Sequence, residues 1–148
     1  MNSREQLIHS LKTFFKENAT RFGFEMAFLY GSWARGFPRP DSDVDIAIVF
    51  SEKPSSDDEC FIKLNALTLK LSGELKLEVN LIQIREEFDK PMLYYNAIVL
   101  GLPAYIKDFD KYIRIKNEAI YQMEDYSLFG LRWQHEVTKR NMETLKHA

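Results

Sequence analysis

Residues Leu29 to Phe50 read LYGSWARGFPRPDSDVDIAIVF, and this stretch limits the architectures open to the chain more than any other. An apolar run stops at Gly31-Ser32, ten residues intervene from Trp33 to Ser42, and a second apolar run opens with alternating aspartates. Residues two apart on a strand face the same way. Val44, Ile46 and Ile48 therefore point into apolar packing, while Asp43 and Asp45 project from the other face with Ala47 behind them. Carboxylates ~7 Å apart on a rigid strand repel each other unless a cation sits between them. Packing alone gives no reason to build a strand this way.

Hard oxygen ligands with no histidine or cysteine nearby suit magnesium, which ordinarily takes one or two carboxylates plus substrate phosphates. Gly31 and Ser32 supply the complementary half. A strand that ends in Gly-Ser and continues as Trp33-Ala34-Arg35 can turn directly into a short helix. The free N–H groups and positive dipole end of that helix would bind phosphate. Gly31 lets a phosphate approach the backbone, and the Ser32 hydroxyl adds a donor. Arg35 and Arg39 lie in the connection and can offset phosphate charge. Taken singly, each of these residues reads more readily as a turn former or a solvated arginine. Taken together in this order, they read as a nucleotide site.

At 148 residues the chain is one domain's length, and its 45% apolar and 28% charged residues describe a globular protein. A net charge of −2 supplies no field toward nucleic acid or membrane. No segment resembles a signal peptide, and no run approaches the ~18 apolar residues of a membrane span, so a cytoplasmic protein is expected. The single cysteine, Cys60, falls in step with Leu64, Leu67 and Leu71 and is expected in the core. His9, His135 and His147 share no ligand spacing and read as surface or packing residues.

Ser3 with Gln6, and Ser56 with Glu59, have capping-box spacing and open two predicted helices. The first ends near Asn18 to Gly23, and the second runs to about Ser72 and stops at Gly73. Strands are predicted over Glu25–Tyr30, Val44–Phe50 and Leu75–Ile84. Pro91 starts a further helix that continues over Met92–Leu100. Leu102–Ile106 reads as an edge strand, because Pro103 cannot donate to a ladder. From Asp108 the chain reads as helical, with a break around Asp125 to Gly130. Of the aromatics there, Phe109, Tyr112, Tyr121, Tyr126, Phe129 and Trp133 read as core more readily than as interface. The expected fold is α/β, a small mixed sheet with helices packed against it. It forms a single domain with a core over about 1–106 and a helical extension over about 107–148.

The segment GSWARGFPRPDSDVD resembles the signature of the DNA polymerase β-like nucleotidyltransferases, in the wording of their minimal branch. EVNLIQI is similar to that family's third strand. YNAIVLGLPAYIKDFDKYIRI is similar to the stretch that follows in antitoxins of HEPN–MNT toxin–antitoxin pairs. The resemblance implies the polymerase β-like fold, with Asp43 and Asp45 holding magnesium and Gly31 and Ser32 holding the β- and γ-phosphates of ATP. It implies in-line attack of an acceptor hydroxyl on the α-phosphorus with loss of pyrophosphate. In the antitoxin branch, it implies transfer of AMP to a tyrosine of a HEPN ribonuclease toxin. Such a protein would meet a nucleotide triphosphate and a protein partner, alone or as an oligomer, with no direct nucleic-acid contact.

The family has a third carboxylate on its third strand, where this chain has Asn80 in Val79-Asn80-Leu81-Ile82. An amide can offer a carbonyl oxygen to a metal but carries no charge and cannot act as a base. Glu78, two residues earlier, can substitute or can simply face solvent. Trp33 reads equally as a residue flanking the nucleotide and as a loop aromatic. Two other functions fit the sequence: a binding-only antitoxin with a degenerate site, and a small-molecule nucleotidyltransferase of the antibiotic-modifying kind. The latter usually carries an additional domain, for which 148 residues leave little room.

Overall fold

The computed structural model describes residues 3–36 and 42–146. In chain order the elements are α1 (Ser3–Phe22), β1 (Phe24–Tyr30), α2 (Ser32–Arg35), β2 (Val44–Phe50), α3 (Asp57–Leu75), β3 (Val79–Gln83), α4 (Pro91–Ile98), β4 (Leu102–Ile106) and α5 (Phe109–Lys146). The four strands form one sheet in the order β3-β2-β1-β4. β1 runs antiparallel to β2 and β4, and β2 runs parallel to β3, with α3 as the crossover. This is the mixed α/β layer expected.

Alternation in the strands divides the core between the two faces of the sheet. Val44, Ile46 and Ile48 pack with Leu11, Phe15, Leu67 and Leu71 beneath α1 and α3. Ala47 and Val49 face the other way, toward Tyr94, Ile98 and Tyr112 of α4 and α5. Phe15 bridges Phe14 and Phe24 edge-on, at centroid separations of 5.4 and 5.3 Å. Each fully buried side chain of this size contributes roughly 1.5–3 kcal/mol. Cys60 is buried in the first cluster, where its Sγ donates to Gln83 Oε1 at 2.9 Å. Burial pushes its thiol pKa up, as befits a packing residue.

Several boundaries differ from the sequence reading. α3 continues through Gly73 to Leu75, and Lys76 takes the left-handed cap at φ 56°. A mid-helix glycine costs about 1 kcal/mol, which the packing of Leu75 against the core offsets. The third strand consequently begins at Val79 rather than Leu75. α4 opens on Pro91 as expected but ends at Ile98. Ser56 caps α3 by accepting from the Glu59 amide, yet the Glu59 carboxylate reaches back to Ser55 instead of Ser56. β4 is an edge strand, as Pro103 requires. α5 runs unbroken through 125–130. Tyr112 is buried in it, but Phe109 and Tyr121 are exposed, against expectation. The side chains of Tyr126, Phe129 and Trp133 lie outside those described. His9 and His135 are exposed, and His147 is outside the described residues.

Candidate active site

β1 ends at Tyr30, and the chain turns sharply at Gly31, whose φ of 77° and ψ of −153° are open essentially to glycine alone. A second constraint falls on the same residue. A Cβ there would run into Asp45 Oδ2 and stand 3.3 Å from Asp45 Cγ. Gly31 is thus what lets the β1 turn and the aspartate strand touch. Ser32 begins α2, a single turn closed by Arg35 N–H donating to Gly31 O at 3.1 Å and by Gly36 at φ 87°. The amides that open a helix have no acceptor within it, so this turn offers N–H groups beside Asp45.

One turn of helix is not stable alone, and two side chains hold this one. Arg4 of α1 donates from Nε to Trp33 O and from Nη2 to Ala34 O, both at 2.9 Å. Trp33 is only 5% exposed and packs in the first core cluster. Its indole Nε1 donates to Ser42 O at 3.1 Å, fastening the turn to the residue that precedes the aspartates. Trp33 is therefore a packing residue of the turn. It sinks into the core because the short helix lays it against the sheet, where its one polar atom finds an acceptor.

Asp45 is the second residue of β2, and Asp43 stands immediately before it. In the parallel pairing of β2 with β3, Asp45 lies opposite Asn80. Asn80 Nδ2 donates to Asp43 Oδ2 at 3.3 Å and to Asp45 Oδ1 at 3.2 Å. Both carboxylates therefore converge on a single atom. Burial raises the Asp45 pKa, the charge of Asp43 raises it further, and the Asn80 hydrogen bond opposes both. Across the antiparallel pairing Asp45 faces Tyr30, whose phenol is pushed up to about 12 by burial and by the Asp45 charge.

Gly31, Ser32, Asp43, Asp45 and Asn80 are therefore neighbours at one end of the sheet. Arg35 is exposed at the end of α2, and Arg39 lies outside the described residues. Glu78 falls one residue short of β3 and is exposed. Its backbone joins the site region by accepting the Val44 amide at 2.9 Å. Sequence reasoning missed Tyr30 and Arg4. Tyr30 was accessible from strand phase, since it directly precedes the glycine turn, but no local pattern marks Arg4.

Two carboxylates aimed at one point, with an amide beside them, form an oxygen-donor set that fits a hard divalent cation such as magnesium. Among the described residues no group of three or more histidine, cysteine, aspartate or glutamate side chains gathers. Asn80 apart, the described residues would leave an ion here to draw its remaining ligands from water or from a bound phosphate. Beside a turn of free amides, the chemistry such a site can do is to hold and polarise a polyphosphate.

Comparison with known proteins places the chain among nucleotidyltransferases. The protein adenylyltransferase MntA of Thermococcus cleftensis is 35% identical over 82 residues, which span 55% of this chain and 78% of that protein. A solved toxin–antitoxin structure with AMP-PNP superimposes with a TM-score of 0.67 at 17% identity, over 86% of this chain and 98% of the other. The complex of tri-AMPylated Shewanella oneidensis HEPN toxin with its MNT antitoxin does so with a TM-score of 0.64 at 14% identity, over 88% and 98%. At those identities the two solved structures speak for the fold. Residues 9–110 match the family described as Polymerase beta, Nucleotidyltransferase, and with that match over well more than half its length this chain belongs to the polymerase β nucleotidyltransferase family.

Proposed function

We propose that this chain is a magnesium-dependent nucleotidyltransferase and antitoxin that moves AMP from ATP to a tyrosine hydroxyl of a HEPN-type toxin. The observation that carries the reading is the convergence of Asp43 and Asp45 on one point directly beside Gly31. Support for the acceptor comes from the adenylyltransferase name of the MntA relative and from the AMPylated toxin in the HEPN–MNT complex.

In this reading the amides of the Gly31–Ser32 turn and the Ser32 hydroxyl hold the β- and γ-phosphates. Arg35 and Arg39 offset their charge. Asp43 and Asp45 would hold magnesium, which when bound would neutralise the charge gathering on the phosphate oxygens. A bond forms between the toxin's tyrosine oxygen and the α-phosphorus, the α–β bridging bond breaks, and pyrophosphate leaves in line. Glu78 is the carboxylate available to the acceptor side, where Asn80 offers none. No described helix is long and apolar enough to cross a membrane.

Intact-mass spectrometry of the toxin partner after incubation with the protein and Mg-ATP tests this. Additions of whole AMP units on tyrosine are expected, with loss of the toxin's ribonuclease activity. A second reading, a binding-only antitoxin, is favoured by one observation: the residue paired with Asp45 on β3 is the amide Asn80 rather than an acid. Inhibition of the toxin without any mass addition would select it.

A further inference from the structure

The amide of Asn80 sits where the family resemblance leads one to expect an acid, and it has chemistry of its own. An NH2 group has two protons to donate, and Asn80 Nδ2 lies within hydrogen-bond distance of both Asp43 Oδ2, at 3.3 Å, and Asp45 Oδ1, at 3.2 Å. The reversed amide would set its carbonyl oxygen against two carboxylates, so the donor orientation is the one the charges select. The NH2 group therefore partly satisfies the pair with no cation present. A cation that binds between the aspartates has to turn this group away. Once it has done so, the same side chain can present its carbonyl oxygen as a neutral ligand. Asn80 is exposed, so the rotation meets no packing.

Two further observations set when that exchange is favourable. Among the described residues no third acid gathers at the pair, so most of the six oxygens around a magnesium ion would come from water or from a bound phosphate. Asp45 also lies in contact range of the Gly31 turn, so the oxygens of a triphosphate held there arrive beside the same carboxylate.

Resting on the nucleotide-site reading above, we propose that Asn80 is a gate: it keeps free divalent ions out of the aspartate pair and admits them together with the triphosphate. Metal and nucleotide then bind with strong mutual dependence. With an aspartate at this position three carboxylates would crowd together, and a cation would bind first, ahead of any nucleotide.

The test is direct titration of Mn2+, read from the paramagnetic resonance of the free ion, with and without AMP-PNP. The wild-type protein should bind Mn2+ weakly alone and far more tightly with AMP-PNP. Asn80→Asp should bind Mn2+ alone about 10–100-fold more tightly than wild type, the usual span for a changed partner of a metal ligand. It should also show a much smaller gain on adding AMP-PNP. Asn80→Ala, which removes the donor without adding charge, should raise affinity for Mn2+ alone by a smaller factor. If instead wild type, Asn80→Ala and Asn80→Asp all bind Mn2+ alone equally, the gate is overturned, although the nucleotide site stands. If Asp43→Asn with Asp45→Asn binds Mn2+ and AMP-PNP as well as wild type does, the site itself is misassigned and the gate falls with it.

Discussion

At one end of the sheet, where β1 finishes and β2 and β3 begin, the polar groups are half-buried or exposed and leave like charges side by side. At the other end a groove of about 610 Å³ opens between the α3 start, the 84–88 loop and the first turns of α5. Its polar groups are arranged as opposites. Glu25, 8% exposed, has its carboxylate 2.5 Å from Lys111 Nζ. Lys53 meets Glu87 at 2.9 Å, and Arg85 meets Asp57 at 3.8 Å. The groove is thus lined by charges that meet opposites. The aspartate end keeps like charges together beside a glycine-only turn, the kind of arrangement in which perturbed groups and backbone strain cluster at functional sites.

Substitutions can break this contrast. The greatest effect should come from Asp43→Asn with Asp45→Asn, which removes the charge the metal-bound triphosphate needs. Transfer should fall by at least ~10³, about 4 kcal/mol in the barrier, with the melting temperature unchanged or raised, since like charges are relieved. An unaltered single-turnover rate would place the chemistry elsewhere.

At the far end, Lys111→Met should leave nucleotide binding intact but strand the buried Glu25 carboxylate. Breaking a fully buried pair costs 3–5 kcal/mol; with Lys111 side chain 44% exposed, about 2 kcal/mol is expected by urea denaturation. A drop in ATP affinity comparable to the loss in stability would show that the two ends are not independent.

Asn80→Asp adds charge at the site end and should speed transfer by about tenfold or more, worth roughly 1.4 kcal/mol, if the missing acid limits the rate. Glu78→Gln should slow the natural protein. A rate indifferent to both changes would remove them from the chemistry.

The smallest effect is expected from Tyr94→Phe. Tyr94 Oη donates to Asp89 Oδ1 at 2.7 Å and accepts the Arg85 amide at 3.2 Å. Loss of an acceptor for that amide costs about 1 kcal/mol. The Asp89 bond adds a pH signature. It holds the Asp89 pKa below the usual carboxylate range, so its stabilisation is present above the unfolded pKa and is lost as pH falls through the folded one. The gap in melting temperature between wild type and Tyr94→Phe should therefore narrow in acid. A gap that widened there would reverse the assignment.

What the sequence made legible follows the range of the physics behind it. The aspartate strand could be read because period-two alternation is local, and the turn because Gly-Ser between apolar runs has few conformations. Trp33 could not be placed, since its burial depends on α1 and the sheet meeting around a single helical turn. Gly73 looked like a helix end because a mid-helix glycine is costly, but packing of Leu75 two residues further on outweighed that cost. The unbroken α5 overrode a glycine at 130 in the same fashion. Arg4 is the extreme case, with its two acceptors 29 and 30 residues away.

Arg4 also sits in the first turn of α1, and helix ends open and close more readily than any other part of a helix. The turn proposed to grip the triphosphate is therefore clamped by a side chain whose own backbone lies in the helix turn where opening costs least. Each unwinding of that first turn would release two carbonyls of α2 at once, so the breathing of the two segments should share one rhythm. Amide hydrogens of residues 33–36 would then exchange with solvent at rates set by the first turn of α1, and whatever stiffened that turn would quiet a segment some thirty residues downstream.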